Sequence, residues 1–146
     1  MPITENQIRI YFKWQDALAA GGVLFGGKQK TNGSWKLAYE RACVLFNIAH
    51  AHSELALTQN LSMDEQMKAA MKNFQMASGA FSFLKDYVNA NSLSDLSVDF
   101  EPSVLASLSW LMLAQAAELV HLKSSSFKGK NSIEYRYPSI SDNSFF

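Results

Sequence analysis

"YERACVLFNIAHAHSELA", residues 39–56, decides between an enzyme and a binding module. It sets the single cysteine, Cys43, and two of the three histidines, His50 and His52, in an apolar run with Glu54 close behind. On a helix, positions i and i+2 do not share a face, so His50 and His52 cannot hold one metal together. His50 and Glu54 stand four apart and can, but they make half a zinc site, and H-E-x-x-H is absent. Cys43 precedes His50 by seven residues, whereas nucleophile and base normally come from separate elements with a third group to orient them. The residues read better as a core helix. Val44, Leu45, Ile48, Ala51, His52 and Leu55 fall at steps of three and four. Cys43 is then a small core residue, and the histidines are helix-face or boundary residues.

Upstream, "IRIYFKW" (residues 8–14) alternates, with Ile8, Ile10, Phe12 and Trp14 on one side, and predicts a half-buried strand. Residues 19–34 hold five of the seven glycines and an Asn32-Gly33 pair, which predicts a turn-rich loop. "SWKLAYER" (34–41) alternates again and predicts a second strand. The two strands make an antiparallel ribbon, marginal unless it lies on something.

Downstream the helical period takes over from Ala42 to about Gln59. "SMDE" (62–65) has the form of a capping box that opens a helix running to about Asn89. Gly79 falls mid-helix, where glycine costs about 1 kcal/mol relative to alanine, and suggests close approach of a neighbour. Residues 89–99 read as a polar loop. Pro102 fits the first turn of a third helix, to about Lys123, apolar nearly all round and so expected to be covered on more than one side. Residues 124–146 lack a sustained period and read as irregular.

The 146 residues suit one domain. Thirteen basic and thirteen acidic residues give zero net charge, which argues against nucleic acid or a polybasic membrane anchor. One cysteine makes no internal disulfide and points to a reducing compartment. The first ten residues lack the basic and apolar regions of a signal peptide. Residues 104–122 approach the length of a bilayer span, but Gln115, Glu118 and His121 interrupt them and favour a buried helix. No dinucleotide, P-loop or nucleophile-elbow motif is present, so no cofactor, metal or catalytic group is predicted.

Several runs, in order and spacing, resemble the BRO1 domain of Alix-type scaffold proteins: "ENQIRIYFKWQDAL", "LFGG", "YERACVLFNIAHAHSELA", "NFQMASGAF" and "LASLSWLMLAQAAELVHLK". The resemblance covers residues 2–123. It implies a mainly α, solenoid-like (tetratricopeptide-like) fold with an N-terminal antiparallel β ribbon. Elements are placed at about 7–41 (ribbon), 42–59, 63–89 and 102–123 (helices), with 124–146 as a tail unlike the family. The resemblance further implies a non-enzymatic scaffold of the ESCRT pathway. Such a domain binds the C-terminal amphipathic helix of ESCRT-III subunits, in the cytoplasm and on endosomes, and reaches the membrane only indirectly.

Carried over by position, Asp64, Lys68 and Lys72 match residues that meet charged groups of the bound helix. Val120 matches an anchor that is often aromatic in relatives, and Lys123 matches a basic position. The i, i+4, i+8 spacing of the first three gives one exposed stripe, a pattern that a plain charged face shares. Leu119 and Leu122 read as core. The family domain is longer, and the helix that completes its groove lies beyond this match. The change in texture at Ser124 therefore predicts a truncated product with an exposed apolar face and self-association. The alternatives are a tetratricopeptide-like interaction domain with another partner, or a non-functional fragment.

Overall fold

The computed structural model describes residues 10–18 and 31–131, with side chains through Ser125. Strand β1 (Phe12–Gln15) pairs antiparallel with β2 (Thr31–Ser34), Phe12 opposite Ser34 and Trp14 opposite Asn32. Phe12 and Trp14 turn toward the core while Lys13 stays exposed, as the alternation predicts, but Ile10, expected on the same side, lies before the strand and is exposed. Gly33 is required here. A Cβ on it would lie 2.6 Å from the Tyr11 ring and 2.7 Å from the Phe12 carbonyl oxygen. Residues 8–9 of the expected first strand and 19–30 of the expected loop lie outside the described residues.

The second strand expected at 34–41 is a correction. The strand is Thr31–Ser34, inside the segment read as loop, and the chain enters helix α1 (Leu37–Leu57) directly. The core face of α1 is corrected too. It buries Tyr39, Ala42, Cys43, Phe46, Ala49 and Ala56, and leaves Val44, Ile48 and Leu55 exposed. The choice follows from packing. Ala42, Ala49 and Ala56 recur every seven residues, as do buried Ala70, Ala77 and Leu84 on helix α2 (Asp64–Ala90). Small side chains in register let two helix axes approach closely. Arg41 lies 5.2 Å from the Tyr87 ring centroid and His52 Nδ1 lies 3.0 Å from Asn73 Oδ1, which sets α1 and α2 antiparallel.

The expected capping box does not form. Met63 is the N-cap of α2 without a side-chain bond, and the preceding turn is held by Asn60 N–H donating to Gln66 Oε1 at 2.8 Å. At its far end, Ser92 takes a left-handed φ of 52° and Leu93 N–H returns to the Val88 carbonyl at 3.1 Å, a Schellman closure with Leu93 buried beneath it. Gly79 does not admit a neighbour: a Cβ there would meet nothing within 4 Å. Gly79→Ala is therefore expected to stabilise the fold by about 1 kcal/mol, read as a higher urea midpoint at unchanged slope.

Two short 3-10 turns, Ser94–Leu96 and Val98–Phe100, lead to helix α3 (Pro102–Asn131). Pro102 occupies its first turn as expected. Its far end is a correction: the backbone stays helical past Lys123, and Ser124 and Ser125 hydroxyls donate to the His121 carbonyl at 2.8 and 2.9 Å. The stretch Pro102–Ser125 is long and apolar enough to cross a bilayer by length and composition. Here it packs on α2 along one side, through Leu105, Met112, Ala116 and Leu119, with Ser78 and Ser109 hydroxyls 2.9 Å apart. Trp110, Leu111, Val120 and Leu122 are exposed, so α3 is not covered on several sides.

The ribbon is tied to the helices by aromatic and polar contacts. Phe100 lies against Trp14, Tyr39 and Phe46, with ring centroids 5.7, 5.6 and 6.4 Å away. Fully buried Asp99 accepts from Trp14 Nε1 at 2.8 Å and from the Ala17 and Leu18 amides at 2.6 and 2.9 Å. Buried Asp16 accepts from Asn32 Nδ2 at 2.7 Å and from Ser97 Oγ at 2.6 Å.

Candidate partner-binding surface

Asp64 and Glu65 open α2, where the positive end of the helix dipole favours carboxylates. Lys68, one turn on, lies 2.6 Å from Glu65 and 3.2 Å from Asp64. From the neighbouring helix, Lys123 Nζ reaches Asp64 Oδ1 at 2.7 Å. Hydrogen bonds from Lys123 and then Lys68 hold the Asp64 carboxyl below the usual carboxylate range, and Glu65 followed by Asp64 raises Lys68. Asp64, Glu65 and Lys68 are open to water and Lys123 is partly covered, so the Lys68 pairs orient charge more than they stabilise the fold.

The structure thus brings Asp64, Lys68 and Lys123 together at one junction of α2 and α3. Lys72 lies one turn further along α2 and is exposed. Val120, 53% exposed, stands three residues before Lys123 on α3, so the two share a side of that helix. An exposed apolar side chain is therefore flanked by a basic and acidic stripe. Peptide-binding surfaces place anchors and specificity charges in this way. Leu119 is buried as expected, but Leu122 is a correction: it is half exposed and lines a groove on the opposite flank of α3. Sequence reasoning missed that groove because its walls come from α1, α2 and α3 at once.

Cys43 lies on the buried face of α1, and burial pushes its thiol up to about 12, which disfavours a reactive thiolate. Among the described residues, no three or more His, Cys, Asp and Glu side chains converge to hold a metal.

The BRO1-like domain family model matches residues 1–136. The chain is 45% identical over 132 residues to the programmed cell death 6-interacting protein of Xenopus laevis and 44% identical over 132 residues to that of Homo sapiens, covering 90% of this chain each time. It spans 15% of the length of those relatives. A solved ALIX BRO1 complex with CHMP4C superposes with a TM-score of 0.72 at 43% identity, over 87% of this chain and 35% of that one. Helices, ribbon and matched residues agree: this chain belongs to the BRO1-like domain family.

Proposed function

We propose that this chain is a non-enzymatic helix-binding module of the ESCRT pathway. It docks the C-terminal amphipathic helix of an ESCRT-III subunit on α2 and α3. Val120 is the apolar contact, and Asp64, Lys68, Lys72 and Lys123 pair with charges that flank the helix's apolar stripe. Through that contact a cytoplasmic chain is recruited to endosomes, and it meets the membrane only through its partner. The observation that carries this reading is the Lys123–Asp64–Lys68 junction, which joins two helices into one charged rim beside an exposed apolar side chain. Its likeness to a relative solved with CHMP4C supports the same reading.

Lysines dominate this rim, three against Asp64 and Glu65, so the favoured helix carries acidic groups beside its leucines. Titration of the chain with a fluorescein-labelled ESCRT-III C-terminal helix tests it. Saturable binding that weakens with salt is expected. Lys68→Glu with Lys72→Glu should weaken it about tenfold or more, since two attractive pairs become repulsive. Affinity unchanged by that reversal would place the helix elsewhere. Val120→Phe enlarges the anchor and is expected to tighten binding.

A further inference from the structure

The "SMDE" run (62–65) at the start of α2 does no capping. Met63 is the N-cap, and the Ser62 hydroxyl makes no hydrogen bond to another described residue. By contrast, Ser53 bonds to the His50 carbonyl, Ser97 to Asp16 and Ser103 to Glu101. Residues 60–65, the turn between α1 and α2 and the first residues of α2, are all exposed. Ser62 therefore offers water an unengaged hydroxyl.

The charges around it are one-sided. Asp64 and Glu65 follow at two and three residues, and no lysine or arginine lies between Arg41 and Lys68. The next residue is Met63, not proline. Kinases read such patterns through cleft side chains of opposite sign. This one fits neither a basophilic nor a proline-directed enzyme, and it suits a cleft with basic groups facing the positions after the acceptor. Ser92 also has a carboxylate three residues on, Asp95. Its left-handed φ of 52° closes the end of α2 over buried Leu93, so Ser92 cannot extend into a cleft without opening that turn. Ser62 meets no such obstacle, since the first turn of α2 has no side-chain cap and helix ends fray.

We propose that Ser62 is a phosphorylation site for an acidophilic serine kinase, and that its phosphate switches the charged rim. Ser62 Oγ takes the γ-phosphoryl group of ATP, its proton passes to the base of the kinase, and ADP leaves. Lys68, Lys72 and Lys123 against Asp64 and Glu65 leave the rim one net positive charge. Phosphoserine adds about −1.5 to −2 at pH 7, which turns the same rim negative. Ser62 stands two residues before Asp64, a span of at most about 7 Å, and Asp64 holds both Lys123 and Lys68. The phosphate gives those two lysines a competing counter-charge and repels an acidic helix. The site stands without the helix-docking reading, while its effect on affinity rests on that reading.

The test incubates the full chain with ATP and a purified acidophilic serine kinase, and peptide mass spectrometry locates the phosphate. Near-stoichiometric phosphate at Ser62 is expected, with incorporation slowed at least ~tenfold by Asp64→Asn with Glu65→Gln. Circular dichroism confirms that the double variant keeps its helices. An unmodified Ser62, or incorporation there unchanged by the double substitution, overturns the site. The fluorescein-labelled ESCRT-III helix then reads the switch. The phosphorylated chain is expected to bind it about threefold or more weakly at low salt, with the difference fading as salt rises, while kinase-treated Ser62→Ala keeps full affinity. Equal affinity of the phosphorylated and unmodified chains, or equal weakening of Ser62→Ala, overturns the switch. Failure of the unmodified chain to bind the helix overturns the docking reading and the switch with it, and the phosphate at Ser62 still decides the site.

Discussion

Phe100→Ala is expected to cost about 3–5 kcal/mol of folding stability, the largest loss of any single truncation in this chain. Phe100 is fully buried where four pieces of chain meet. Its ring touches Trp14 of β1 and Tyr39 and Phe46 of α1, and Phe46 passes the contact to Phe81 of α2, 5.5 Å away edge-on. Removing it empties the centre of that cluster and leaves a cavity that rigid helices on two sides cannot close. Domains are stable by only about 5–15 kcal/mol in total, so the variant should lie close to its unfolding midpoint without denaturant. Urea denaturation followed by circular dichroism measures the effect, and a loss under about 1 kcal/mol would contradict this packing.

Asp99→Ala is expected to cost about 3 kcal/mol or more, through a different mechanism. The carboxylate accepts three hydrogen bonds from the ribbon and its exit turn: Trp14 Nε1, Ala17 N–H and Leu18 N–H. Alanine leaves those donors without an acceptor and severs the polar link between the ribbon and the turn before α3. The loss should be local first. Amide exchange at Ala17 and Leu18 should speed up by orders of magnitude while the α2 amides near Leu84 exchange only as fast as global unfolding allows. Asp99→Asn keeps one acceptor and should fall between the two. Uniform acceleration throughout the chain would mean that the ribbon and helices form one cooperative unit and that Asp99 is no separate latch.

Much of this fold is legible in the residues, and the failures share physical causes. Helix α2 and the Pro102 start of α3 were readable because a long apolar period and a proline at the first turn leave little alternative. The Trp35–Leu37–Tyr39 alternation misled because so short a window fits a period of 2 and the first turn of a helix equally well. The core face of α1 was misread because that helix is apolar on two sides, so only its partner selects the phase. The small side, Ala42, Ala49 and Ala56, is the one that α2 can approach. The serines after Lys123 looked irregular, yet their hydroxyls bond back to the carbonyl one turn earlier and sit tolerably in a helix. The Asp99 latch spans 82 residues to Ala17, a separation no local period reports.

At the candidate surface, the spacing of Asp64, Lys68 and Lys72 already put them on one stripe. The Lys123–Asp64 bond, which joins that stripe to α3, depends on how two helices cross and was supplied only by the structure. The groove behind Leu122 was hidden for the same reason, since exposure on an all-apolar helix is a property of the packing.

A charge-swap titration puts the proposed function to its most direct test. Lys68→Glu with Lys72→Glu should lose affinity for the ESCRT-III helix, and a peptide whose facing acidic residues are changed to lysine should regain most of it against that variant while binding the unmodified chain poorly. Such reciprocal rescue is expected if α2 and α3 grip the helix through this rim. Loss without rescue, or equal affinity in all four combinations, would contradict it.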